Sequence, residues 1–193
     1  MLKPIWPTLA AALIIAGCSK EFPETPLTAE ESSLKQMLST QNDHDSQVQL
    51  GRLYFMHNRI DDADALLRQA VKENPQDMEA KAWFAANNCK IAGRAGPWLM
   101  GLDKLYGVWT CLSDLQAAAN AAADDFTIAL IQINTDAEVN MFSSMERAVQ
   151  NRDRLLKQIE AKPSAYPASA KTAFFESSAR LDKLRGKTTA RDN

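Results

Sequence analysis

A chain of 193 residues has the length of about one domain, and its 46% apolar content is enough to bury a core. Its formal net charge is only −2, which excludes the strongly basic field of a nucleic-acid binder. Few glycines (7) and prolines (8), against abundant alanine, favour helix over sheet, so the expected fold class is all-α.

The N-terminus reads as an export signal over residues 1–17. Lys3 supplies a positive start, Leu9 to Ile15 an apolar run, and Ala16-Gly17 a small-residue site before Cys18. The run is shorter than the roughly 20 residues that cross a bilayer. Ile15-Ala16-Gly17-Cys18 resembles the lipobox of bacterial lipoproteins. The resemblance implies cleavage before Cys18 and acylation of its thiol and new amine, making Cys18 the lipid-attachment residue. A signal without lipidation and a membrane-spanning anchor are the alternatives. Ser19, where Asp commonly marks inner-membrane retention in that family, resembles the outer-membrane class, so the implied location is the outer membrane, facing the periplasm. Residues 18–27 contain Pro23 and Pro26 and are expected to form an extended, unpacked tether.

The folded domain is expected over 28–186. Thr28 with Glu31 three residues on forms a capping box for a helix to about Leu38. A polar break follows, in which Asn42 or Asp43 caps the next helix. Over 44–77, Leu50-Gly51 is followed by Tyr54, Ala63, Leu67, Ala70 and Pro75. Gly51 permits close approach, Ala63, Leu67 and Ala70 share one helix face, and Asn74-Pro75 ends the second helix. This spacing resembles a tetratricopeptide repeat, although Gln47 stands where the family's early Trp would be.

Residues 78–125 resemble a second, stretched repeat. A helix is expected from Glu79 to about Ala92, then a reversal at Gly93 to Pro97, then one long helix from Trp98 to about Ala122. Trp98, Leu102, Leu105, Trp109 and Leu112 form an apolar stripe on it, expected to face the core, and Gly107 is its weak point. A degenerate hairpin is expected over 126–163, with helices to about Asn134 and from Met145 to Ile159. A capping C-terminal helix follows over 168–184, and 187–193 form a flexible tail. The architecture implied is a stack of antiparallel helical hairpins, a short tetratricopeptide-like solenoid.

No constellation for chemistry emerges, so an enzyme is not expected. His44 and His57 lack companions at metal-ligand spacing and read as surface residues, and no metal or cofactor is expected. Ser143-Ser144 and Ser177-Ser178 lack a nucleophile's context. Cys89 and Cys111 lie 4 residues before Gly93 and 14 after Pro97, which offsets them by ~15 Å along an antiparallel pair. Two buried free thiols are favoured, with a break at Gly107 reopening the question.

Binding is the remaining class. In tetratricopeptide proteins a groove is lined from fixed positions of each repeat's first helix. The resemblance places Asp45, Val48, Arg52, Phe55 and Met56 there from the first repeat, and Glu79, Ala82, Ala86, Cys89 and Lys90 from the second. Arg52, Phe55, Met56 and Lys90 are the candidate partner-binding residues, suited to an acidic, partly apolar segment of a protein partner in the cell envelope. Self-filling of the groove by the helix at 28–38 or by the C-terminal helix is the bland alternative. The function expected is a membrane-anchored interaction scaffold or accessory lipoprotein. The alternative is a small-molecule carrier with a cavity lined by Trp98, Met100, Tyr106, Trp109 and Met141.

Overall fold

The computed structural model describes residues 20–189, except 42 and 97–100, with side chains described to residue 186. Cys18, Trp98 and Met100 lie outside the described residues. Among those described, the chain is helical throughout: α1 (Ala29–Gln41), α2 (His44–Met56), α3 (Ile60–Glu73), α4 (Met78–Arg94), α5 (Leu102–Ala121), α6 (Phe126–Val139), α7 (Ser144–Ala161) and α8 (Ala168–Thr189), with a 3-10 turn at Pro163–Ala165.

Local chemistry starts these helices as the sequence implies. Thr28 N–H donates to Glu31 Oε2 at 2.8 Å and Glu31 N–H to Thr28 Oγ1 at 3.2 Å, the two arms of the capping box. Asp43, Asp77 and Asp125 each accept a backbone N–H three residues on, opening α2, α4 and α6.

Each helix packs against the next in sequence, and α2, α4, α6 and α8 also touch in a row. This makes a stack of antiparallel hairpins with an inner row (α2, α4, α6, α8) and an outer one (α1, α3, α5, α7). α1 covers the exposed side of the first hairpin through Leu34 and Leu38, with Leu27 just ahead of it packed on the same core. α8 covers the last through Phe174 and Leu181, which are fully buried.

The first hairpin is built on size complementarity. Ala63, Leu67 and Ala70 are fully buried, and a Cβ added to Gly51 would lie 2.7 Å from Leu67 Cγ. Gly51 is what lets α2 and α3 meet. On α4, Ala80, Ala82, Ala85 and Ala86 do the same for its neighbours.

The second hairpin departs from expectation in its helix ends, its cysteines and its apolar stripe, while α5 stays unbroken as expected. α4 runs through Gly93 to Arg94, and α5 is capped by Gly101 in the left-handed region (φ 82°). Gly107 does not split α5, since it faces Ala92, whose Cβ would lie 3.0 Å from an added Cβ. Cys89 and Cys111 form a disulfide, with Cα atoms 5.3 Å apart, so the two free thiols are corrected. The offset shrank because α4 runs on to Arg94 and α5 begins at Leu102, so Cys89 lies 5 residues (94 − 89) and Cys111 lies 9 (111 − 102) from the facing helix ends. The apolar stripe is also corrected. Val108, Cys111, Leu112, Leu115 and Ala118 form the buried face of α5, while Leu102, Leu105 and Trp109 are exposed.

Candidate functional site

The N-terminal segment is extended but not unpacked. Residues 20–25 run along the edge formed by the C-terminal ends of the inner helices. Lys20 N–H donates to the Gly93 carbonyl at 3.0 Å and Thr25 N–H to the His57 carbonyl at 3.1 Å. Asn58, held in the left-handed region (φ 58°), donates its amide to the Pro23 carbonyl at 2.8 Å. Phe22 lies against Gly93, 3.2 Å from where a Cβ would stand, so the bare helix surface is its seat.

The four candidate binding residues divide. Lys90 is committed internally: its Nζ donates to the Phe55 carbonyl at 2.6 Å and to Asn58 Oδ1 at 2.8 Å, and it lies 3.8 Å from the centroid of the Phe55 ring. Burial lowers the Lys90 pKa to about 8, and the nearby charges of Arg180 and Lys20 add to this, offset in part by Glu138. Phe55 is half-buried and packs on Trp83 at 5.4 Å between centroids. Arg52 stands over the other part of the Trp83 ring at 5.5 Å and is otherwise exposed, as is Met56. Phe55 and Lys90 are thus walls of a cation–aromatic ledge, while Arg52 and Met56 are its open rim.

Of the other positions assigned to the groove, Val48, Ala82, Ala86 and Cys89 are buried. They pack the inner helices together and offer no surface. The segment 20–25 lies against the ledge, with the Phe22 ring centroid 5.8 Å from Lys90 Nζ.

Both histidines are tied into this edge or its opposite rather than free on the surface. His57 Nε2 pairs with Glu31 Oε1 at 3.0 Å and its Nδ1 with Thr25 Oγ1 at 2.9 Å. Hydrogen bonding from His57, then from Thr28, holds Glu31 down at about 2. His44 Nε2 pairs with Asp77 Oδ2 at 2.7 Å, joining the starts of α2 and α4. Deeper in, Glu138 is gripped by Lys20 (2.8 Å) and Arg180 (2.7 Å). Burial works to raise its pKa, yet the two cations hold it below the ordinary value.

Sequence reasoning missed Trp83, Phe22, Asn58 and Glu138. The first carried a signal, because Trp83 sits one turn above Glu79, whose carboxylate accepts its indole N–H at 3.2 Å. The rest are recruited from distant segments and no spacing announces them.

Among the described residues no cluster of His, Cys, Asp or Glu has the makings of a metal site. Tyr106 and Trp109 point outward on α5 and enclose no cavity. No helix among the described residues is long and apolar enough to cross a membrane. Compared with protein-family models, curated proteins and solved structures, the chain matches none.

Proposed function

We propose that this chain is a lipid-anchored interaction scaffold of the bacterial envelope, a tetratricopeptide-like stack that receives an extended segment of a partner protein on its inner row. The observation that carries this is the docking of residues 20–25. An extended peptide is held there through its backbone, by the Gly93 and His57 carbonyls and the Asn58 amide, with one aromatic side chain seated on Gly93. That is how a helical scaffold grips a peptide without reading much of its sequence. The rim beside it, Arg52 over Trp83 with Met56, remains open and suits an acidic and apolar continuation. Cys18, two residues before Lys20, supplies the anchor through its acyl chains.

The test uses the full chain in its own envelope, with a photo-reactive residue placed at Met56. A specific adduct with one envelope protein is expected, and Arg52→Glu should abolish it while the melting temperature stays near that of the parent. Adducts that persist undiminished in Arg52→Glu would overturn the proposed rim. Mass measurement at Cys18 checks the anchor separately, since an unacylated Cys18 in the mature chain refutes lipidation whatever Met56 captures.

A further inference from the structure

We propose that the edge formed by the C-terminal ends of α4 and α6 and the start of α5 lies on the surface of the bilayer, with Leu102, Tyr106 and Phe142 in the interface. The proposal deepens the anchored-scaffold reading and rests on it for the direction from which the bilayer arrives.

The first argument is where the chain comes from. Lys20 is fixed at both ends to this edge, its N–H on Gly93 near the end of α4 and its Nζ on Glu138 near the end of α6. The residues before Lys20 therefore leave from this edge. Cys18 is two residues away, at most ~7 Å of extended chain. An acylated Cys18 would hold this edge, and no other, against the lipid.

The second argument is the distribution of exposed apolar side chains. Eight large ones are exposed among the described residues. Leu102, Leu105, Tyr106 and Phe142 lie at this edge, Trp109 continues the α5 face, and Met56 belongs to the rim of the ledge at the end of α2. Positions 102, 105, 106 and 109 fall on one side of that helix, with Tyr106 and Trp109 in ring contact at 6.2 Å between centroids. Met37 and Phe175 are the two elsewhere, and neither is at the connections of the opposite edge. Exposed apolar side chains gathered at one edge mark a contact surface.

The third argument is the chemistry of the patch. Tyr and Trp bring rings that are apolar in body and polar at the tip, the side chains that settle at headgroup depth. Two cations of this edge are already neutralised within the fold, Lys20 by Glu138 and Arg94 by Asp61. Insertion would therefore be driven by apolar area rather than by anionic lipid.

The experiment places the full chain as isolated from its own membranes, with the mass at Cys18 measured, in phosphatidylethanolamine–phosphatidylglycerol vesicles with or without bromine on the acyl chains. Bromine quenches tryptophan only when the ring reaches the lipid. Trp98 and Trp109 are replaced by Phe, and single reporters are introduced as Leu102→Trp, Phe142→Trp and, on the opposite edge, Gln76→Trp. The remaining emission is subtracted using the reporter-free chain, and Tyr106→Trp serves if another reporter alters helix content. Emission at 102 and 142 should fall at least twofold on brominated vesicles, with 76 unchanged. Equal emission at all three positions overturns the proposal. Acylated Cys18 with no quenching at 102 and 142 sinks the interface and leaves the anchor standing. Quenching at both with an unacylated Cys18 keeps the interface and sinks the anchor. Absent quenching together with a dimer by sedimentation assigns the patch to a second copy, which also overturns the proposal.

Discussion

Reducing the Cys89–Cys111 bridge should loosen the second hairpin by a calculable amount. The bridge closes a loop of 22 residues in the unfolded chain. In the chain-entropy treatment a loop of that length contributes about 3.4 kcal/mol at room temperature. For a protein of this size each kcal/mol moves the melting temperature by roughly 2–4 °C, so reduction should lower it by about 7–14 °C. The bridge also sits in a small cluster of its own with Ala92, Val108 and Leu112, apart from the cores of the first and third hairpins. Its loss should therefore be felt most at the end of α4 and the start of α5. Differential scanning calorimetry with and without a phosphine reductant measures the shift. Cys89→Ala/Cys111→Ala should show the same loss plus the small extra cost of two missing sulfur atoms. Alkylation under denaturing, non-reducing conditions gives the decisive negative. If both thiols are modified there, or if the two melting curves coincide, the bridge does not stabilise this fold and the register of α4 against α5 is wrong.

Two further predictions rest on the first hairpin and the ledge. Gly51→Ala should destabilise the protein by about 1–3 kcal/mol, although alanine is the better helix former, because its Cβ would stand 2.7 Å from Leu67 Cγ and force the fully buried Leu67 to shift. Leu67→Ala should recover part of that loss in the double variant, and a Gly51→Ala chain that melts higher than its parent would refute the close approach. For Lys90, the fold lowers the pKa from 10.5 to about 8, so between those values the unfolded chain holds a proton that the folded one has released. Stability from this group should accordingly rise with pH across that window, by less than about 1 kcal/mol per pH unit because the side chain is only partly buried. Urea unfolding at several pH values should show the rise in the parent and not in Lys90→Met; parallel profiles would remove Lys90 from the interior of the ledge.

What the sequence could reveal was whatever is set by near neighbours. The capping box at Thr28 and Glu31, the helix start at Asn42 or Asp43, which falls to Asp43, and the small-residue face of Ala63 and Ala70 each depend on residues within a few positions, and the structure has all three. Registers between helices were not legible to the same degree. One unanticipated feature, the start of α5 at Leu102, moved Cys111 beside Cys89 and turned Leu102, Leu105 and Trp109 outward. A stripe at helical steps says that residues share a face. It does not say which of two adjacent apolar faces meets the core, and α5 carries two.

The candidate site shows the same limit more sharply. Position within a repeat assigns Arg52, Phe55, Met56 and Lys90 to one groove; the structure puts Lys90 over Phe55 and joins Arg52 to Phe55 through Trp83. Repeat position said nothing of Phe22 or Asn58, since a segment read as a tether has no periodicity from which docking can be inferred. Yet that segment decides the roles. Lys90, once it donates to Phe55 O and Asn58 Oδ1, has one of its three N–H donors left for a partner, and Phe55 under it is a wall of the ledge. The same contacts bring Lys20 to Gly93 and Glu138. A chain anchored just ahead of Lys20 then cannot present its inner ledge and its exposed α5 face in arbitrary directions. The strap that fills part of the groove also orients the stack toward whatever holds its N-terminus.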